Sequence, residues 1–216
     1  MNNKFVFLTV VCLLYIVFSG CTPRKSVNGV NFWEKNNVVS LENNVVKMDY
    51  NLATGYYKVF DKAAHLLCID SAYAQINKQK SIDDAVRTWR IENEEAGVSL
   101  VIQNAHSSNC NLLLKFSLQK NIPYILLSAG IDNQSNDTLF VNKIMPLADG
   151  KIFEGKDLSE NLRILEGNGG GERTLMRERP SVLSRNNILI HFGNEKEYYS
   201  LVMGGITYNE FNKFAG

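Results

Sequence analysis

Proline, cysteine and tryptophan are scarce in this chain of 216 residues, which contains four Pro, four Cys and two Trp. Scarce proline beside nine Tyr and eleven Phe is typical of a β-rich core, because aromatic residues are enriched in strands and proline is depleted there. Excess charge is also lacking. The formal net charge is +1, so no basic surface for nucleic acid is indicated and we expect no such partner.

Patterns for metals, nucleotides and nucleophilic catalysis are missing too. The cysteines and histidines do not have zinc-ligand spacing. The glycine-rich stretch 167–173 lacks the Lys-Ser/Thr pair of a phosphate-binding loop, and no helix pattern follows it. His191 could be set beside Ser184 or Ser200, but neither serine has a nucleophile-elbow pattern. We therefore predict no metal, no cofactor and no catalytic residue.

Adjacent acidic residues occur twice, as Asp83 with Asp84 and as Glu94 with Glu95. Glycoside hydrolysis needs two carboxyl groups that face each other across the scissile bond. Neighbouring residues on a strand point to opposite faces, so these pairs are better interpreted as solvated loop charge.

The N-terminus has the pattern of an export signal. Lys4 precedes an apolar run over residues 5–18, which suits a signal peptide and is short for a membrane span. The sequence Ser19-Gly20-Cys21 resembles the lipobox of bacterial lipoproteins. It predicts a signal peptide over residues 1–20, lipidation of Cys21, and an exported protein anchored to a membrane in the periplasm or at the cell surface. An uncleaved anchor and a plain secretory signal are the alternatives.

Besides the proposed lipidation site Cys21, two cysteines follow this signal, Cys68 and Cys110. Export makes a disulfide between them one interpretation. Since Cys68 lies in the apolar run 66–69, a buried free thiol is the other.

The rest of the chain favours a tether followed by one β domain. Residues 21–37 are mostly polar and predict the tether, with the domain over residues 38–216. Short β-type runs alternate with turn signals, and capped amphipathic helices are absent. The spacing of the runs predicts an all-β, antiparallel sandwich. The predicted strands before residue 145 are 38–41, 45–50, 56–61, 66–76, 87–92, 98–103, 112–118, 124–131 and 138–144. Those after it are 162–166, 187–193 and 199–208.

Exposed aromatic side chains could bind sugar by stacking, although Tyr and Trp are also common in β cores. The aromatic candidates are Trp33, Tyr56, Tyr57, Trp89, Tyr198 and Tyr199. Polar companions lie beside the glycine stretch at Glu172 and Arg173, for which a solvated loop pair is the alternative. The predicted carbohydrate-binding residues are Trp89, Glu172, Arg173 and Tyr198.

Three segments, 161–172, 187–193 and 200–211, together resemble the N-terminal β-sandwich of bacterial α-galactosidase-type glycoside hydrolases. Residues 126–147 are similar to the middle of that sandwich. The resemblance implies a galactose-mutarotase-like supersandwich, incomplete at its C-terminus. It also implies that a catalytic (β/α)₈ barrel carrying two aspartates would follow, so no catalytic residue is carried over to this chain.

The expected function is therefore a non-catalytic sandwich module of an exported α-galactosidase-like enzyme. It would support a catalytic barrel, with a galactoside or other carbohydrate as ligand. A stand-alone carbohydrate-binding lipoprotein is the main alternative, and a structural module without a ligand is a third.

Overall fold

The computed structural model describes residues 23–106, 110–156, 163–167, 172–175, 187–194 and 196–205. The described residues form β-strands and no helix, and all strand pairs are antiparallel. This confirms the prediction of an all-β, antiparallel fold. The chain divides into two compact units, one ending at Glu154 and the other beginning at Gly155.

The first unit contains two sheets. The strands of its 8-stranded sheet are Lys25–Val27 (β1), Val30–Lys35 (β2), Val38–Glu42 (β3), Val46–Asn51 (β4), Tyr57–Asp61 (β5), Leu66–Ile76 (β6), Gln79–Lys80 (β7) and Ile144–Ile152 (β12). Those of its 4-stranded sheet are Val86–Asn93 (β8), Gly97–Ala105 (β9), Cys110–Gln119 (β10) and Leu126–Asn133 (β11). The first sheet has the order β1-β2-β3-β4-β5-β6-β12, with β7 paired to β6, and the second has the order β11-β10-β9-β8.

Period-2 alternation makes these two sheets a sandwich. Along β10 every second side chain is buried, because successive residues of a strand point to opposite faces. The ring of Phe116 on β10 lies 5.1 Å from that of Tyr57 and 6.2 Å from that of Tyr50, centroid to centroid. Tyr50 and Tyr57 belong to the first sheet, so the core is formed where the inner faces of the two sheets meet.

The sheet begins at Lys25, so the predicted tether over residues 21–37 and the domain boundary at residue 38 are corrected. Val30 is fully buried and Phe32 nearly so. Polar residues at the end of this region form a turn between two strands. Asn36 and Asn37 have φ of 53° and 61° and connect β2 to β3 as a two-residue hairpin turn, which requires positive φ at both positions.

A second correction concerns the strand predicted over residues 138–144, because β12 begins only at Ile144. Asn77 holds the segment before it in an irregular conformation. Its side-chain amide donates to the Phe140 carbonyl at 2.8 Å and accepts from the Asn142 and Lys143 amides at 2.8 and 3.2 Å. These bonds occupy backbone groups that a strand would use for its ladder.

The second unit contains a 4-stranded sheet of order β14-β13-β15-β16. Its strands are Arg163–Gly167 (β13), Glu172–Leu175 (β14), Asn187–Gly193 (β15) and Tyr198–Gly204 (β16). Ile188, Ile190 and Phe192 are buried on one face of β15. The glycines at 169–171 and the end of the last predicted strand, after residue 205, lie outside the described residues.

Candidate functional site

Trp89 lies on β8, which is the last strand of the second sheet. Its register partner on β9 is the fully buried Ile102, so the indole points to the inner face of the sheet. The indole Nε1 donates to a carboxylate oxygen of Glu34 at 2.8 Å. Because Glu34 belongs to β2, this hydrogen bond joins the edge strand of the second sheet to the first sheet and holds the half-buried indole in place.

A cavity of about 540 Å³ opens at this edge of the sandwich. Strand β8 forms one wall, and the β2–β3 and β4–β5 turns of the first sheet form the other. The lining residues of this lateral cleft are Glu34, Asn37, Leu52, Ala53, Arg87, Thr88 and Trp89. The cleft is widely open to solvent.

Arg87 also lines the lateral cleft, two residues before Trp89 on the same face of β8. Its guanidinium Nη2 donates to the backbone carbonyls of Asp83 and Ser81 at 2.6 and 2.8 Å. Its Nη1 reaches across to the carbonyls of Leu52 and Ala53 at 3.3 and 3.2 Å. Arg87 therefore ties the β4–β5 turn of one sheet to the edge strand of the other.

Buried polar groups support Arg87 from the core. The fully buried Asn104 accepts from Arg87 Nε at 3.1 Å and from the Tyr50 hydroxyl at 2.8 Å. Burial raises the pKa of Tyr50 to about 12, against the opposing effect of the Arg87 charge. The Ser81 hydroxyl donates to the Gly55 carbonyl at 2.9 Å. With its polar groups paired in this way, the network fixes the floor of the cleft.

The other aromatic candidates of the first unit are placed differently. Trp33 lies beneath two cations, with Arg24 Cζ and Lys47 Nζ at 5.1 and 5.7 Å from its ring centroid. Tyr57 is a core residue that donates to the Pro146 carbonyl at 2.9 Å. Tyr56 is 37% exposed and meets Tyr73 edge to face. In this unit Trp89 is therefore the aromatic candidate that lines a cavity.

Tyr198 belongs to the second unit, where it is 65% exposed on β16. On the same sheet His191 Nδ1 and Ser200 Oγ lie 2.9 Å apart, as a cross-strand pair. Glu172 and Arg173 are in β14, paired with Gly167 and Glu166, and their side chains lie outside what the structure describes. The predicted carbohydrate-binding residues thus divide between the two units, with Trp89 in the first and the others in the second.

Of the four carboxylates considered for catalysis, Glu94 and Asp83 have structural partners. Glu94 pairs with Lys115 at 2.8 Å and accepts from the Ser99 hydroxyl. The hydrogen bond from Lys115 lowers the pKa of Glu94. Asp83 accepts the Lys80 backbone amide at 2.8 Å. Among the described residues no group of three or more Asp, Glu, His or Cys is arranged to hold a metal ion.

Both cysteines of the predicted domain are free thiols in the structure, and both are half-buried. Cys68 lies on β6 and Cys110 on β10, in different sheets. Partial burial raises the pKa of the Cys68 thiol. The free-thiol interpretation of Cys68 is therefore the one the structure confirms, without the full burial that was expected.

In the described part of the chain, no helix long and apolar enough to span a membrane was found.

Sequence reasoning missed Glu34, Asn37 and Arg87. Glu34 and Asn37 fell in the supposed tether, so they were not considered as part of a site. The signal for Arg87 was present, since alternation along β8 places Arg87 and Trp89 on the same face.

Neither protein-family models, nor curated proteins, nor solved structures gave a match to this chain. The class that the fold defines is an all-β protein of antiparallel sheets, and the lateral cleft is its candidate site.

Proposed function

We propose that this chain is a non-catalytic, carbohydrate-binding β-sandwich module of an exported bacterial lipoprotein. The lateral cleft beside Trp89 is the observation that supports this role. A half-buried indole borders an open cleft of about 540 Å³ whose polar lining includes a carboxylate and an amide. Such a mixture of one aromatic surface and a few convergent polar groups suits a hydroxyl-rich ligand.

Rigid placement of the indole makes stacking favourable, because little side-chain freedom remains to be lost on binding. The hydrogen bond to Glu34 fixes the ring, and Arg87 fixes the strand beneath it. Lipidation at Cys21 would place the module at a membrane surface, which is the location proposed from the N-terminal pattern.

Titration of the purified protein with neutral galacto-oligosaccharides, followed by calorimetry, tests the binding role. Trp89→Ala should weaken binding about tenfold or more, since an aromatic contact contributes roughly 1.5 kcal/mol. Trp33→Ala is the matched control, because the Trp33 ring is covered by Arg24 and Lys47 and should leave the affinity unchanged. Equal losses in both variants would argue against a site at the cleft.

A second candidate function is the supporting sandwich of an α-galactosidase-type hydrolase, with a galactose-mutarotase-like topology. Exposed apolar side chains favour it. Phe140 is 78% exposed, and Leu139 and Ile144 are 39% and 37% exposed, on a segment that Asn77 holds in place. An ordered apolar segment of this kind suits contact with another protein domain. If the folded protein gives no heat signal with any galactoside, the supporting role becomes the better account.

A further inference from the structure

Arg87 introduces a positive charge into the lateral cleft, which by itself would suggest an acidic ligand. Its hydrogen bonds argue otherwise. A guanidinium has five N–H donors, and those of Arg87 are directed at oxygens of the protein. The accepting residues are Leu52, Ala53, Ser81, Asp83, Ala85 and Asn104. A ligand carboxylate would therefore have to displace existing bonds before it could pair with Arg87.

The opposite wall of the cleft carries a negative charge. The Glu34 carboxylate lines the cavity and is held there by the Trp89 indole at 2.8 Å. An acidic group stacked beside Trp89 would lie close to this carboxylate and would lose water without gaining a donor. Like charges close to each other at a partly desolvated site are unfavourable.

The remaining polar side chain of the lining suits hydroxyls. Asn37 is exposed in the β2–β3 turn and offers an amide that can donate and accept. Thr88 also borders the cleft, but its side chain points to the opposite face of β8 from those of Arg87 and Trp89. The cleft thus combines one positive and one negative side chain with a neutral amide that can donate and accept.

We infer that the lateral cleft selects uncharged saccharides and discriminates against acidic ones, such as uronic-acid oligosaccharides. This selectivity rests on the proposed carbohydrate-binding function. Glu34 is its specificity-determining residue, and Arg87 acts as a positioning residue that shapes the wall without pairing to the ligand.

The test uses Trp89 fluorescence in a Trp33→Phe background, where Trp89 is the remaining one of the two tryptophans. Neutral galacto-oligosaccharides and galacturonic-acid oligosaccharides of equal length are titrated side by side. The neutral ligand should bind about tenfold or more tightly, the ratio that corresponds to roughly 1.4 kcal/mol. Glu34→Gln keeps an oxygen that can accept from the indole but removes the charge. It should therefore raise the affinity for the acidic ligand and reduce the ratio of the neutral-ligand affinity to the acidic-ligand affinity.

Glu95→Gln is the control for a general change of net charge, because Glu95 is exposed in the β8–β9 turn and does not line the cleft. It should leave the ratio unchanged. Equal or tighter binding of the acidic ligand by the Trp33→Phe protein would overturn the selectivity while leaving a saccharide site in place. Absence of binding by both ligands to the folded protein would overturn the carbohydrate-binding function itself, and the selectivity with it.

Discussion

Gly55 shows how a single residue fixes one wall of the cleft. It follows the β4–β5 turn with φ of +77°, and a Cβ placed on it would lie 1.9 Å from the Ser81 carbonyl oxygen. We expect Gly55→Ala to lower the free energy of unfolding by at least about 2 kcal/mol, since positive φ alone costs roughly 1–2 kcal/mol. Urea denaturation measures this loss.

Gly130→Ala is the matched control for that substitution. No atom lies within 4 Å of a Cβ built at Gly130, a strand residue of β11. Its effect should stay within about 0.5 kcal/mol, as for most substitutions that disturb no packing. A similar loss in both variants would mean that the contact between Gly55 and Ser81 is not the cause.

At the residue scale, the sequence placed Trp89 on a strand, where the structure has it. Trp89 was named as a candidate because an exposed aromatic side chain can stack on sugar, and that role stays a prediction. Glu34 was not named, since its role depends on a hydrogen bond to a residue 55 positions along the chain. Contacts of that separation are set by how the two sheets pack, and local patterning does not contain them.

At the scale of elements, charged side chains join three strands on the outer part of the first sheet. Asp70 on β6 pairs with Lys58 of β5 at 2.8 Å and lies beside Glu154, just after β12. Hydrogen bonds from the Glu154 carboxyl and the Lys58 ammonium lower the pKa of Asp70 from 3.8 to about 2. The folded state therefore binds this proton less readily than the unfolded chain does.

The lowered pKa gives a pH-dependent prediction. Asp70 should stabilise the fold above about pH 4, and this contribution should disappear as the pH falls toward about 2. Asp70→Asn should accordingly destabilise the protein at pH 6 and make little difference near pH 2. Thermal unfolding at several pH values checks this, with the exposed Asp137→Asn as control. A difference between Asp70→Asn and wild type that does not change with pH would contradict the assignment.

Strand positions followed from sequence wherever hydrophobic alternation was strong, as in β6, whose predicted and observed bounds agree. Two of the errors involve asparagine. Residues 21–37 look like a tether because they are mostly polar, yet Asn36 and Asn37 supply the positive φ of a hairpin turn. Asn77 does the reverse and prevents a strand over residues 138–143 through its side-chain hydrogen bonds. A pattern of hydrophobic residues does not contain information on hydrogen bonds between side chains and the backbone.

For the whole molecule, the division after Glu154 predicts independent folding of the first unit. Both of its sheets lie within Lys25–Ile152, and so does the lateral cleft. A chain that stops after Lys156, so that the new carboxylate stays clear of Glu154, should keep a β-type circular dichroism spectrum and a cooperative melt. It should also bind saccharide with the affinity of the full chain. A truncated chain that fails to fold would show that the second unit is required.

The sheet begins at Lys25, only four positions after Cys21. A fully extended chain covers at most about 3.5 Å per residue, so lipid on Cys21 would hold the edge of β1 within about 14 Å of the anchor. With so short a linker, a lipidated module would stay close to the membrane surface and would not reach far into the surrounding solution. It would sample only what reaches the membrane surface, and its effective partners would be molecules already delivered there.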